Sequence, residues 1–409
     1  MKKIIDLERK KAFQLIILFG IVSLFGDIVY EGARSVNGPY LKILGANAAI
    51  VGIIAGVAEF LGYAIRLASG YFSDKTRAYW LFTILGYATL ASVPLLSLAG
   101  VWQVAAIFIV MERLGKALRS PAKDTILSHA TKQIGTGFGF GLHEAMDQIG
   151  AIAGPLFFTG LFLLLGNKEK SLVDYQTGYA LLWIPFIFVL LSVLVAYLRV
   201  PNPDTLEQPK SNVPESDKLS KVFWAYAAFS FVATLGFANF AIIGYHFKIT
   251  KVLTDAQIPM FYAIAMGVDA AVAIIIGRIY DKIGLVSLMT IPVFTLLMPI
   301  FAFSSNYSFI MIGVAFWGIV MGTHETIMKA AIADLTPLKK RGTGYGIFNT
   351  AYGLAMLIGS SAMGILYEVS IAWVIIFCVA VEIAAIPLYF YMKKCIATER
   401  KEGIESLRH

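Results

Sequence analysis

The segment Gly70-Tyr71-Phe72-Ser73-Asp74-Lys75 returns later in the chain as Gly277-Arg278-Ile279-Tyr280-Asp281-Lys282, 207 positions on. The same offset carries Gly135-Thr136-Gly137-Phe138-Gly139 onto Gly342-Thr343-Gly344-Tyr345-Gly346. Two dissimilar motifs that share one offset identify an internal duplication, each copy about half of the 409 residues. A repeat of this length in an apolar chain points to a membrane protein built of two similar halves.

Composition agrees. The chain is 58% hydrophobic and 15% charged, with a mean hydropathy of +0.73. A water-soluble surface of this size needs more charge. Apolar stretches long enough to cross hydrocarbon, which takes about 20 helical residues, recur along the whole length. They are read as spans over residues 12–37, 48–72, 79–99, 102–120, 137–166, 178–199, 222–246, 257–280, 284–304, 307–331, 343–367 and 371–392. The first run follows a basic stretch, lacks a small-residue cleavage site and carries Asp27, Glu31 and Arg34, so it is expected to be retained. The expected fold is an all-α membrane protein, twelve transmembrane helices in two pseudo-symmetric six-helix bundles. The bundles are expected over 1–200 and 221–392, joined by a polar cytoplasmic linker at 201–220 and followed by a cytoplasmic tail at 393–409.

Lys and Arg gather before the first span, after the second and fourth, in the linker, after the tenth and in the tail, while the alternate loops hold few. Positive residues stay cytoplasmic, which puts both termini and the linker inside the cell membrane and requires an even number of spans. The net charge of +8 is thus spent on topology, and no nucleic-acid partner is expected. Cys378 and Cys395 are too few for a disulfide framework or a metal-thiolate site.

The two repeated loops resemble the G-x-x-x-D-R/K-x-G motif of the major facilitator superfamily. The second copy keeps the pattern through Asp281-Lys282-Ile283-Gly284, and the first has Arg77 where the second glycine belongs. Gly150-Ala151-Ile152-Ala153-Gly154-Pro155 resembles the G-x-x-x-G-P motif of that family's antiporters, and Arg113 sits near the family's fourth-span arginine. Asp27-Ile28-Val29-Tyr30-Glu31-Gly32-Ala33-Arg34-Ser35 is similar to a poorly characterised prokaryotic branch. The resemblance implies that the paired loops latch the halves in the outward-facing state. The latch residues would be Gly70, Asp74, Lys75, Arg77, Gly277, Asp281 and Lys282. A carboxylate at Asp74 or Asp281 can accept backbone N–H bonds from a helix N-terminus. The basic loop residues also satisfy the topology rule without any latch.

Asp27, Glu31 and Arg34 share one helix face. Ionisable groups this deep cost about 2.5–3.5 kcal/mol each against lipid, so they are expected to face the bundle interior. Glu31 and Arg34 can pair, leaving Asp27 the freer acid. Burial disfavours the charged form of a carboxyl group, which suits a reversible proton carrier. The proton-handling candidates are Asp27, Glu31, Arg34, Arg113, Glu144 and Asp147, and a purely structural ion-pair network is the competing reading. Lys116 and Arg119 descend toward the cytoplasmic end, where long basic side chains snorkel.

His143, Asp147, Gly150 and Gly154 form one stripe, whose glycines are expected to admit a helix of the other half. His143-Glu144 and His324-Glu325 are expected to meet across a cytoplasmic gate that includes Arg119, where imidazole titration would switch the contact. A divalent-metal site is the alternative there, although the spacing supplies only two ligands and no resident metal is expected. Candidates for the substrate body are Tyr30, Glu59, Asn239, Tyr262 and Asp269.

These features lead to a secondary transporter working by alternating access, with proton-coupled efflux of a small cationic or metal solute ahead of symport or uptake. Its partners would be lipids, protons and the solute, and the chain is expected to act as a monomer without a cofactor. A membrane sensor would need an output domain that the short linker and tail do not supply. An enzyme is not expected, because the five histidines are scattered, and no G-x-x-x-x-G-K-S/T phosphate loop is present for ATP drive.

Overall fold

The computed structural model describes residues 2–134, 136–167, 169–202, 219–336 and 341–406. The expected linker and the last residues of the tail fall largely outside that set. Among the described residues the chain is helical and has no strand. In hydrocarbon a backbone must satisfy its own polar groups, and helices do so within one segment. Ten helical stretches among the described residues are long and apolar enough to cross a membrane.

The helices are α1 (Lys2–Ile43), α2 (Ala48–Thr76), α3 (Tyr79–Ala88), α4 (Ser92–Leu95), α5 (Trp102–Ile134), α6 (Thr136–Leu164), α7 (Leu172–Leu181), α8 (Trp183–Arg199), α9 (Lys221–Leu235), α10 (Phe240–Thr250), α11 (Gln257–Ile283), α12 (Thr290–Ala302), α13 (Tyr307–Leu335), α14 (Arg341–Val369) and α15 (Ile371–Ser406). They gather into two compact units. One contains Met1–Ala46, Val57–Val213 and Phe247–Ala263, and the other contains Asn47–Gly56, Pro214–His246 and Ile264–His409. Each unit thus includes a segment from the other sequence copy.

Four expected spans are not single α-helices; the sixth is interrupted at Leu182, between α7 and α8. Residues 79–98 run as α3 and α4 with 3-10 turns at Thr89–Ala91 and Leu96–Leu98. Pro94, inside that stretch, cannot donate the backbone bond that a regular helix needs. The ninth expected span opens with a 3-10 segment, Gly284–Met289, before α12. The seventh stops at Leu235 and restarts at Phe240, where the Asn239 side chain accepts the Ala241 N–H at 2.9 Å and caps the new helix.

In the first unit α1 lies along α6. A Cβ added at Gly154 would meet Gly32 N and Ile28 O, and one at Gly150 would meet Leu24 O and the Asp27 Cβ. The glycine stripe therefore admits α1 of its own copy, not a helix of the other half as the spacing suggested. A small-residue stripe reveals a close approach but not the identity of the neighbour. An apolar cluster at the start of α1 anchors the unit. Phe19 stacks on Trp80 at 5.7 Å, and Trp80 Nε1 donates to Val200 O at 2.9 Å.

The repeated loops keep their turn in both copies. Gly284 has φ +61 and Arg77, in the matching position, has φ +53. Arginine thus occupies a left-handed conformation that costs an L-residue about 1–2 kcal/mol. Nothing lies within 4 Å of a Cβ built at Gly284. Gly284→Ala is therefore expected to lower stability by about 1 kcal/mol through backbone conformation alone, measured as a shift in thermal unfolding in detergent. An unchanged or raised unfolding temperature would contradict that.

Candidate functional site

The i, i+4 spacing of α1 and the matching stripe of α6 run in the same direction and in register. Ser23 Oγ and His143 Nε2 are 2.8 Å apart. One turn on, the carboxyl groups of Asp27 and Asp147 lie beside each other. Beyond them Ile28 and Gly32 meet Gly154. Asp27 is buried and Asp147 half-buried, and Asp27 lies midway along the apolar stretch Lys10–Ile43. The α1–α6 contact thus brings two carboxyl groups together in the membrane interior.

Beside this pair lies a charge network from α1, α2 and α5. Arg34 bonds Glu31 at 3.0 Å and Glu59 at 3.2 Å. Arg113 reaches the same Glu59 oxygen at 3.2 Å and Glu112 at 3.4 Å. Arg119 lies 3.8 Å from Glu112, donates to Gly86 O at 3.2 Å and covers the Tyr87 ring. The Tyr262 hydroxyl, from α11, donates to the other Glu31 oxygen. Lys116 Nζ donates to the Tyr30 hydroxyl at 3.0 Å and sits 4.1 Å from that ring's centroid.

The structure brings some of the candidate residues together and keeps others apart. Asp27, Tyr30, Glu31, Arg34, Glu59, Arg113, Asp147 and Tyr262 come together in one unit. Glu144 does not join them: it is exposed and pairs with Gln148. Arg119 is buried in the network, and Lys116 turns inward to Tyr30 instead of snorkelling outward, because Glu112 and the Tyr30 ring offer partners that lipid headgroups would otherwise supply.

The two expected gate histidines are held within their own units. His143 is bound to Ser23 and lies 3.5 Å from Lys123, whereas His324 bonds Tyr352 at 3.0 Å and packs on Phe237. Glu325 is half-buried beside His324. Asn239 serves as a helix cap, and Asp269 is buried against Gly322.

Gly70 packs on Pro121 and Gly277 on Thr326, contacts that the repeat offset leaves two positions out of register. Asp74, Lys75, Asp281 and Lys282 are exposed. Among the described residues neither aspartate accepts the backbone N–H that the latch reading expects. No group of three or more His, Cys, Asp or Glu suited to a metal occurs among the described residues.

A second constellation escaped sequence reading. Buried Asp255 accepts the Lys170 backbone N–H at 2.6 Å, the Tyr175 hydroxyl at 2.8 Å and Lys248 Nζ at 2.5 Å. Next to it exposed Lys251 and Glu169 pair at 2.6 Å, and the ammonium holds the Glu169 carboxyl below its ordinary range. Lys170 precedes α7, Tyr175 lies in it and Lys248 lies in the last turn of α10, so the constellation joins segments about eighty positions apart that no local motif announces.

Related proteins place this architecture. The chain is 37% identical over 388 residues to an uncharacterised protein of Mycobacterium tuberculosis, covering 93% of each. It is 29% identical over 370 residues to an uncharacterised MFS-type transporter of Methanocaldococcus jannaschii, covering 86% of this chain and 88% of that one. Among solved structures it superimposes on an inward-facing bacterial homologue of the human lysosomal transporter Spinster, with TM-score 0.70, 12% identity and coverage of 95% and 98%. A peptide-bound transporter of the POT family gives TM-score 0.71 at 12% identity, covering 94% and 96%. The sequence pattern of the Major Facilitator Superfamily matches residues 16–298 and 253–406, and with that match the duplicated, all-helical membrane chain belongs to the Major Facilitator Superfamily of membrane transporters.

Proposed function

We propose that the chain is a proton-coupled secondary transporter of the cell membrane, exporting a small cationic solute by alternating access. The observation that supports this best is the Asp27–Asp147 pair. Its two carboxyl groups, unlike those of Glu31, Glu59 and Glu112, meet each other instead of a guanidinium. Once a proton leaves, the pair gains negative charge in a low-dielectric interior beside Lys116, and added negative charge favours a cation. Proton and cation then compete for the same oxygens, and that competition couples their movements in opposite directions. Tyr30, Glu59 and Tyr262, next to the pair, are the side chains offered to the body of the solute.

The reading takes twelve spans. The helix α5 counts as one, its charges turned into the first unit, and Gln257–Ala302 counts as two, since 46 residues exceed twice the crossing length. Both termini then lie in the cytoplasm. The Asp255 constellation becomes a latch on the opposite side, one that must open and close as access alternates.

The test is transport by the full chain in proteoliposomes carrying an internal pH dye, screened with divalent metal ions and lipophilic organic cations. Proton release into or uptake from the lumen that depends on one added cation, with the opposite sense to cation movement, is the expected result. Movement of both in the same sense would establish symport instead, and solute movement without any proton signal would dismiss proton coupling.

A further inference from the structure

By apolar content α9 and α10 form one span, Lys221–Thr250, yet the helix breaks at its middle. The break is held from outside the segment. Trp317 Nε1 donates to Ala238 O at 2.9 Å, and Phe237 stacks on the same indole at 5.5 Å. A Cβ at Gly236 would fall on Glu382 Oε1 of α15 and come within 3.3 Å of Cys378 O, so the glycine leaves room for that carboxyl at the break. Glu382 itself lies near the middle of the apolar span Ile371–Thr398 and is fully buried, and among the described residues neither of its carboxyl oxygens has a hydrogen-bond partner. Thr234, in the last turn of α9, adds a buried hydroxyl that is also unpartnered.

The electrostatics are one-sided. The C-terminal end of α9 presents the negative end of its dipole, with its Thr234 carbonyl accepting the Phe237 N–H at 3.1 Å. The Glu382 carboxyl supplies further lone pairs beside it. The elements packed on α15 near this point are α9, α12, α14 and the 3-10 segment Gly284–Met289. α12 and the 3-10 segment contain no ionisable residue; α9 contains only Lys221 and Tyr226; α14 contains Arg341, Glu368, Tyr345, Tyr352 and Tyr367. Among the described residues none of these pairs with Glu382, and the titratable neighbour on its own helix is Cys378, one turn earlier. An acid left this way in mid-membrane calls for a positive partner. Broken helices whose C-terminal carbonyls face such a group are how membrane transporters hold coupling ions.

We propose that Glu382 and the α9–α10 break form a second cation site, separate from the α1–α6 carboxyl pair, that binds a monovalent cation: a proton or Na+. One carboxylate among neutral oxygens balances a single positive charge, whereas a divalent ion draws on more carboxylates. The repeat offset makes the site intelligible. It carries Asp27 of α1 onto Thr234 of α9, so the second copy has a hydroxyl where the first has its acid, and the acid arrives from α15 instead.

The experiment is infrared difference spectroscopy of the full chain in lipid nanodiscs, comparing the parent with Glu382→Gln and reading the carboxylic C=O band that the substitution removes. That band is expected to lose more than about half its intensity between about pH 5 and about pH 9 if the cation is a proton. It is expected to vanish on adding Na+, but not K+, at fixed pH if the cation is Na+. A Glu382-dependent band that ignores both pH and Na+ would overturn the proposal, and so would the absence of such a band under every condition. Gly236→Ala, whose methyl would push the carboxyl from the break, supplies a second variant. It is expected to abolish the pH or Na+ response while the unfolding temperature shows the protein still folded, and an unaltered response would count against the site.

Discussion

Glu59→Gln is expected to destabilise the protein by about 3 kcal/mol, the low end of what breaking a buried ion pair does. One Glu59 oxygen accepts both Arg34 and Arg113 at 3.2 Å, and only 8% of its side chain is exposed. The amide keeps the shape and one acceptor but removes the charge between two guanidinium groups. Arg34 keeps Glu31 and Arg113 keeps Glu112, which is why the loss stays at the low end. Glu31→Gln should have a smaller effect, because Arg34 then keeps Glu59 and Tyr262 keeps an oxygen to bond. A double-mutant cycle with Arg113→Gln isolates the pair, since removing both partners should do less damage than the two single changes added together. Thermal unfolding of the purified protein in detergent, followed by tryptophan fluorescence, provides the reading. A Glu59→Gln protein within about 0.5 kcal/mol of the parent would remove Glu59 from the centre of the network.

The depth of that network was legible in the sequence, and its wiring was not. The i, i+4, i+7 spacing of Asp27, Glu31 and Arg34 fixed one face of a helix, and the structure gives that face to the interior. The glycines of α6 announced a close helix, but spacing is blind to which helix arrives. Registry with α1 needs the tertiary fold. The reading of Lys116 and Arg119 as snorkelling cations rested on distance from a helix end, and lost to partners on other helices. The break between α9 and α10 carries no proline, and its one glycine resembles many others in the chain. It is explained by Trp317 and Glu382, residues far along the sequence. Arg77 is the instructive opposite case. The second copy has a glycine there and the first departs from it, yet Arg77 keeps the left-handed turn at φ +53.

Asp27→Asn is expected to abolish solute-dependent proton movement, lowering it by more than about tenfold, while the chain stays folded. Asparagine matches aspartate in size and can hydrogen bond Asp147, so the stability change should stay within about 1 kcal/mol. What it cannot do is release a proton in exchange for a cation. Exchange of labelled solute for unlabelled solute at equal pH on both sides needs no net proton transfer and should survive if the solute contacts lie on Tyr30, Glu59 and Tyr262. Asp147→Asn is expected to behave alike, since the two carboxyl groups act on one proton. Glu144→Gln, at an exposed position bonded to Gln148, should leave proton movement near the parent's level. Undiminished proton movement in Asp27→Asn would end the assignment of coupling to the α1–α6 pair. Because Glu382 belongs to the other unit, the infrared band that Glu382→Gln removes should persist in Asp27→Asn. Proton movement lost in Asp27→Asn with that band intact would locate coupling at the first-copy acid and leave the second site as an independent cation binder.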